Sequence, residues 1–135
     1  MRNIKSSKPE INQKQKDRRK ERGQRAEQLA CDYLIEQGYV IRERNWRCRS
    51  GEIDLIAACG ELTVIIEVRS RSRGAAAFGT PAESITARKI KQVRDTAAVY
   101  LHQTGKPDAH VRFDVVAVNF GYGDEFSLEH IQAAF

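Results

Sequence analysis

The chain predicts an α/β protein: a mixed sheet with a helix on each face, in the order αβββαββ. Two stretches repeat their apolar residues at helical spacing. Five shorter ones alternate or run apolar as strands do, and the second helix falls between strands. At 135 residues the chain is long enough for one core and too short for two.

Charge is concentrated at the start. Residues 1–25 hold ten Lys or Arg against Glu10, Asp17 and Glu21, whereas the whole chain carries only +5, so the remainder is slightly acidic. Met1 to Arg22 has almost no apolar side chain beyond Ile4 and Ile11. Such a segment cannot bury enough surface to offset its ordering entropy. A basic tail, disordered or frayed helix, is expected over residues 1–22, ahead of a single domain over 23–135. It serves either as an electrostatic arm for nucleic acid or as a solvated extension.

From Gly23 to Gln37, Ala26, Leu29, Ala30, Tyr33 and Leu34 recur at i, i+3, i+4, i+7 and i+8, and Gly38 supplies a stop. Glu27 falls beside Leu34 on the helical wheel, at the edge of that stripe, where it can look into a site under the first turn. Tyr39 to Arg42 begins the first strand. Arg42 to Gly51 then reads as a basic loop in which Arg42, Arg44, Arg47 and Arg49 surround Trp46. That grouping suits backbone phosphates with a base stacked nearby; the plainer alternative has Trp46 capping the core beside solvated arginines.

Ile53 to Ala58 and Leu62 to Arg69 are strand-like apolar runs, each interrupted by an acid, Asp54 and Glu67. The intervening Cys59-Gly60-Glu61 reads as a tight hairpin turn. With Cys59-Gly60 as the turn, the two acids are diagonal neighbours; with Gly60-Glu61, they face each other directly. Both registers put them on one face, about 5 or 7 to 8 Å apart at Cβ. Period two assigns Ile53, Leu55, Ala57, Val64, Ile66 and Val68 to the opposite, apolar face. Like charges so placed destabilise a sheet unless something positive lies between them. A shared divalent cation satisfies both; ordinary salt bridges to Arg47, Arg49 or Arg69 are the alternative.

Beyond the hairpin, Arg69, Arg71 and Arg73 alternate into a small-residue loop, Gly74 to Pro81. Thr86 is an expected N-cap for a second helix with Ile90, Val93, Ala97, Tyr100 and Leu101 on one side, ending near Gly105. Arg88, Lys89, Lys91 and Arg94 in its first turns oppose the helix dipole, so phosphate binding or simple solvation must account for them. Val111 to Val118 gives a fourth strand, and a turn over Asn119–Asp124 leads to a short fifth one near Leu128 to Ile131.

No apolar stretch approaches the roughly 18 residues needed to span a bilayer, and the start lacks a signal peptide's apolar segment, which implies a cytoplasmic chain. Cys31, Cys48 and Cys59 form no CxxC pair and have no nearby His, so free thiols are expected.

Gly51-Glu52-Ile53-Asp54-Leu55-Ile56-Ala57, Ile66-Glu67-Val68-Arg69-Ser70-Arg71 and Arg112-Phe113-Asp114-Val115-Val116, with Ala26-Glu27 upstream, resemble the YraN-type family of small bacterial proteins. That family in turn is similar to the PD-(D/E)xK nuclease superfamily, especially the Holliday-junction resolvases. The resemblance implies a restriction-endonuclease-like fold and a metal-dependent endonuclease that hydrolyses DNA with selectivity for structure. A nucleic-acid-binding module that keeps the fold without hydrolysis is the alternative. By motif, Glu27 would be the helix-one acid, Asp54 the motif aspartate, Glu67 the acid of the ExK element and Arg69 its lysine position. Asp54 and Glu67 would hold Mg²⁺ or Mn²⁺. Arg42, Arg44, Arg47, Arg49, Arg71, Arg88, Lys89 and Lys91 would guide phosphates, and since resolvase-like enzymes usually act as symmetric dimers, the resemblance allows a homodimer. Two positions depart from the pattern: Ile53 replaces proline, and Arg69 replaces a lysine that could act on the attacking water. Arginine stays protonated, so Arg69 keeps only the electrostatic role, and Lys89 or Lys91 could substitute.

Overall fold

The computed structural model describes residues 13–72 and 85–135. Its elements follow the expected order: α1 Gln13–Glu36, β1 Val40–Cys48, β2 Gly51–Cys59, β3 Leu62–Arg71, α2 Ala87–Gln103, β4 Val111–Phe120 and β5 Phe126–Ile131. The strands form one sheet in sequence order. All neighbours are antiparallel except β3 and β4, whose parallel pairing requires a long crossover that includes α2.

Each helix covers one face. Ala26, Ala30 and Leu34 of α1 pack on Leu55, Ala57, Val64, Ile66, Val116 and Val118. Val93, Ala97, Tyr100 and Leu101 of α2 pack on Ile53, Ile56 and Ile65. Thr86 caps α2 as expected, its hydroxyl accepting from the Lys89 N–H at 3.1 Å. Cys59 pairs with Leu62, so Gly60-Glu61 is the hairpin turn. Gly60, at φ +62°, takes the first central position, as a type II′ turn demands. Of the two registers open from sequence, this one sets Asp54 opposite Glu67.

Four features depart from the sequence reading. First, α1 begins at Gln13, not Gly23. Residues 13–21 are all exposed, so no burial supports them. Their Gln, Lys, Arg and Glu side chains are good helix formers, and extending a helix already packed downstream avoids the nucleation cost. Second, the basic loop is strand: β1 runs through Cys48, and the turn is only Arg49-Ser50. Trp46 does cap the core, edge-on to Tyr100 with ring centroids 5.2 Å apart. Third, Arg42 is the extra residue of a β-bulge between Ile41 and Glu43, and a bulge re-aims its side chain. Fourth, Ile53 packs with the α2 cluster, on the face opposite Leu55. Alternation breaks because β1 and β2 do not pair at Asn45 and Asp54, and Asn45 sits at φ +52°. Arg73, the Gly74–Pro81 loop and residues 1–12 lie outside the described residues.

Candidate functional site

The β2–β3 ladder runs from Cys59 and Leu62 to Leu55 and Ile66, and stops one step before the acids. In place of a backbone pair there, the Asp54 carboxylate accepts from the Val68 N–H at 2.8 Å. The sheet is thus opened at Asp54 from both sides, since β1 also lets go at Asn45. Asn tolerates the left-handed conformation better than most residues. From it, the Asn45 amide donates to Glu27 Oε1 at 3.0 Å.

Glu67 is 2% exposed. Its Oε1 lies 3.5 Å from the Lys89 Nζ, while its Oε2 is buried with no hydrogen-bond partner among the described residues. Burial pushes the Glu67 carboxyl up to about 7; repulsion from Asp54 adds to this, and Lys89 and Arg69 oppose it. Burial likewise pushes Asp54 up to about 6, against the Val68 hydrogen bond and with help from the Glu27 charge. Two carboxyls that resist ionising side by side, one with an oxygen that has no hydrogen-bond partner among the described residues, have Lys89 as their one ion-pair partner there. Their hard oxygen donors suit Mg²⁺ or Mn²⁺. The donor set therefore fits such an ion as a two-carboxylate site, with the main-chain carbonyl after Glu67 as a further candidate. It is not a three-acid cage. Among the described residues no three His, Cys, Asp or Glu side chains stand close enough to share an ion, Glu27 being turned to Asn45.

The basic residues divide. Lys89 reaches Glu67, and Arg69 lies in β3 two residues beyond it, with its Nε buried and without a hydrogen-bond partner among the described residues. Arg47 does not pair with either central acid but with Glu52, at 3.4 Å, beside Lys89 along a shallow cavity. Arg44 donates to Gln28 on the α1 side. Arg49 and Arg88 are exposed, at the β1–β2 turn and the first turn of α2, and Arg71 ends β3. Two expected phosphate guides fall away from the acids. Arg42, displaced by its bulge, lines a cavity near the hairpin turn with Tyr100 and Leu101. Lys91 is drawn to Asp95 of its own helix at 2.7 Å. None of Arg47, Arg49 or Arg69 forms an ion pair with Asp54 or Glu67 among the described residues.

A second buried acid, Asp114, has every need met. It accepts from the Arg112 Nε and Nη2 at 2.9 and 2.8 Å and from the Ala133 N–H at 3.0 Å, and its Oδ2 lies 2.8 Å from the His130 Nε2. Tyr39 accepts from Arg112, and the Tyr33 hydroxyl meets the other His130 nitrogen. Burial alone would raise the Asp114 carboxyl, but the hydrogen bonds from His130, Arg112 and Ala133 together hold it below the ordinary value. Sequence reasoning missed this network and Asn45. The Arg112-Phe113-Asp114 motif was visible, but His130 joins it only through the β4–β5 register, in which it sits opposite Val116.

Residues 26–118, which include Glu27, Asp54, Glu67 and Asp114, match the model described as "Uncharacterised protein family UPF0102". The chain belongs to that family. A UPF0102 protein of Rhodococcus opacus is 45% identical over 113 residues, covering 84% of this chain and 94% of its own. One from Moorella thermoacetica is 51% identical over 100 residues, 74% of this chain and 82% of its own. One from Geobacter metallireducens is 40% identical over 113 residues, 84% of this chain and 90% of its own. The match begins at Ala26, so the exposed first half of α1 lies outside it.

Proposed function

We propose that the protein is a metal-dependent endonuclease that hydrolyses phosphodiesters in DNA and selects structure over sequence. The observation that carries this reading is the Asp54–Glu67 pair at the opening of the sheet, with an orphaned carboxylate oxygen and a lysine from α2 beside it. A divalent ion held by Asp54 and Glu67 would lower the pKa of water and neutralise phosphoryl oxygens. The chain's own groups supply the rest. Lys89, whose side chain is one-third exposed, can hydrogen-bond an attacking water or a phosphate oxygen while leaning on Glu67. It thereby offers the amine that Arg69 cannot. Arg69 keeps a fixed positive charge next to the site, suited to the charge that develops on phosphorus-bound oxygens. Arg47 and Arg88 contact phosphates and fix position without reading bases.

A second reading has its own support. Glu27 is latched to Asn45, and arginine occupies the usual lysine position, which favours a DNA-binding module without hydrolysis. Incubation with labelled duplex, flapped and four-way DNA in Mg²⁺, Mn²⁺ or EDTA separates the two. For the enzyme, cleavage requires metal, falls by about 100-fold or more in Asp54→Ala, Glu67→Ala and Lys89→Ala, and survives in Arg69→Lys. Binding with no cleavage in any metal would leave the module.

A further inference from the structure

The first half of α1 carries a built cationic groove. Arg18, Arg22 and Arg25 recur at i, i+4 and i+7, hence on one side of the helix. With Glu21, Phe120 and Gly123 they line a surface cavity of about 320 Å³. Arg25 is fixed there: its guanidinium lies 5.2 Å from the centre of the Phe120 ring, and its Nη2 donates to the Asp124 carbonyl at 3.2 Å. Arg22 has its Nε buried without a hydrogen-bond partner among the described residues. Three guanidinium groups line this cavity against the single carboxylate of Glu21, a surplus of positive charge. An anion would relieve it.

Position says which anion. Phe120 ends β4, and β4 runs parallel to β3, in which Glu67 and Arg69 lie four and two residues before the end and pair with Val115 and Ala117. The first turn of α2, with Lys89, reaches the same acids. The groove and the acid pair therefore lie toward the same end of the sheet, the groove on the α1 face and Glu67 on the α2 face, so a duplex must pass round that end to meet both. From Glu27 back to Arg18 is about 13 Å along the helix at 1.5 Å per residue, close to four base steps of one DNA strand at 3.4 Å.

We propose that this groove grips the phosphate backbone of duplex DNA on the flank leading away from the acid pair. The proposal rests on the nuclease-site reading for its location and goes beyond it in naming the flanking duplex as a ligand of α1. Arg25 serves as the packed strut, while Arg18 and Arg22 make the contacts.

Fluorescence anisotropy of the full chain with labelled duplex, at several salt concentrations, tests it. The Arg18→Gln/Arg22→Gln double variant should lose at least about ten-fold in affinity, and the slope of log K against log salt should shrink by about 2. Glutamine is a good helix former, so α1 should persist, which circular dichroism checks. Arg18→Lys/Arg22→Lys should restore the slope, because it keeps the charges. An unchanged slope in the glutamine variant, or no binding of duplex by the wild type, overturns the proposal. The two readings fail separately. Cleavage that persists with an unchanged slope removes the arm and keeps the nuclease. Binding without cleavage, with the slope still sensitive to Arg18 and Arg22, keeps the arm and removes the nuclease.

Discussion

Glu67 on β3 and Asp114 on β4 are near neighbours in the parallel register, where Ile66 pairs with Asp114 and Glu67 with Val115. They point to opposite faces and have opposite surroundings. Asp114 receives hydrogen bonds from a guanidinium, a backbone amide and an imidazole, and stays ionised below its ordinary range. Among the described residues Glu67 has one lysine at 3.5 Å and an oxygen without a hydrogen-bond partner, and its carboxyl is pushed up to about 7. A buried charge that is fully paired within the chain serves the fold. One that is left short is completed by a proton or by something from outside.

Breaking the paired centre should have the largest effect. Asp114→Ala leaves Arg112 and His130 without their acceptor next to the α1 core, the situation in which removing one partner of a buried pair costs about 3 to 5 kcal/mol. Denaturant unfolding measures it. A loss below about 1 kcal/mol would mean that Asp114 is not what ties β4, β5 and the C-terminal segment together.

The incomplete centre should behave the other way. Because the folded-state pKa of Glu67 is raised, its contribution is full below the ordinary value of 4.5 and is lost as pH rises towards about 7. Asp54 adds to the same fall between its ordinary 3.8 and about 6. Asp114, depressed, contributes in the opposite sense: its stability is present above the ordinary carboxylate value and is lost only as pH falls through its lowered folded pKa. Without divalent ions, thermal stability should therefore decline from about pH 4 to pH 7, by up to about 3 kcal/mol for Glu67. Glu67→Gln should flatten that decline and exceed the wild type near pH 8. Mg²⁺ should restore the wild type at pH 8 and leave Glu67→Gln unmoved. Superimposable pH curves for the two proteins would remove the electrostatic argument for the site.

The sequence made the architecture legible because its periods are clean: the stripe Ala26 to Leu34, the alternation from Val111, and Thr86 as a cap all lie where they were expected. It left the hairpin register open, since glycine can take either central position of a two-residue turn, and only the Cys59–Leu62 pairing decides. The face of Ile53 was misjudged because period two holds only while pairing is unbroken. Lys89 was legible as a cation at the unfavourable end of a helix, but its partner was not, because the chain between Arg71 and α2 hides how far round the sheet the helix begins.

Asn45 sharpens the comparison last, with the smallest expected effect. It is where β1 releases β2, and its amide holds the Glu27 carboxylate. A Cβ at φ +52° costs about 1 to 2 kcal/mol for most residues, and the lost hydrogen bond about 1 more. Asn45→Ala should therefore destabilise by about 2 kcal/mol, whereas Asn45→Gly, with no Cβ to strain, should cost about 1 or less. The glycine variant also frees Glu27. If the acids at this opening act as one centre, Asn45→Gly should then gain more thermal stabilisation from Mg²⁺ at pH 8 than the wild type does. Equal costs for alanine and glycine would show that the left-handed turn is not what Asn45 is there to hold, and an unchanged Mg²⁺ response would place Glu27 outside the centre that Asp54 and Glu67 form.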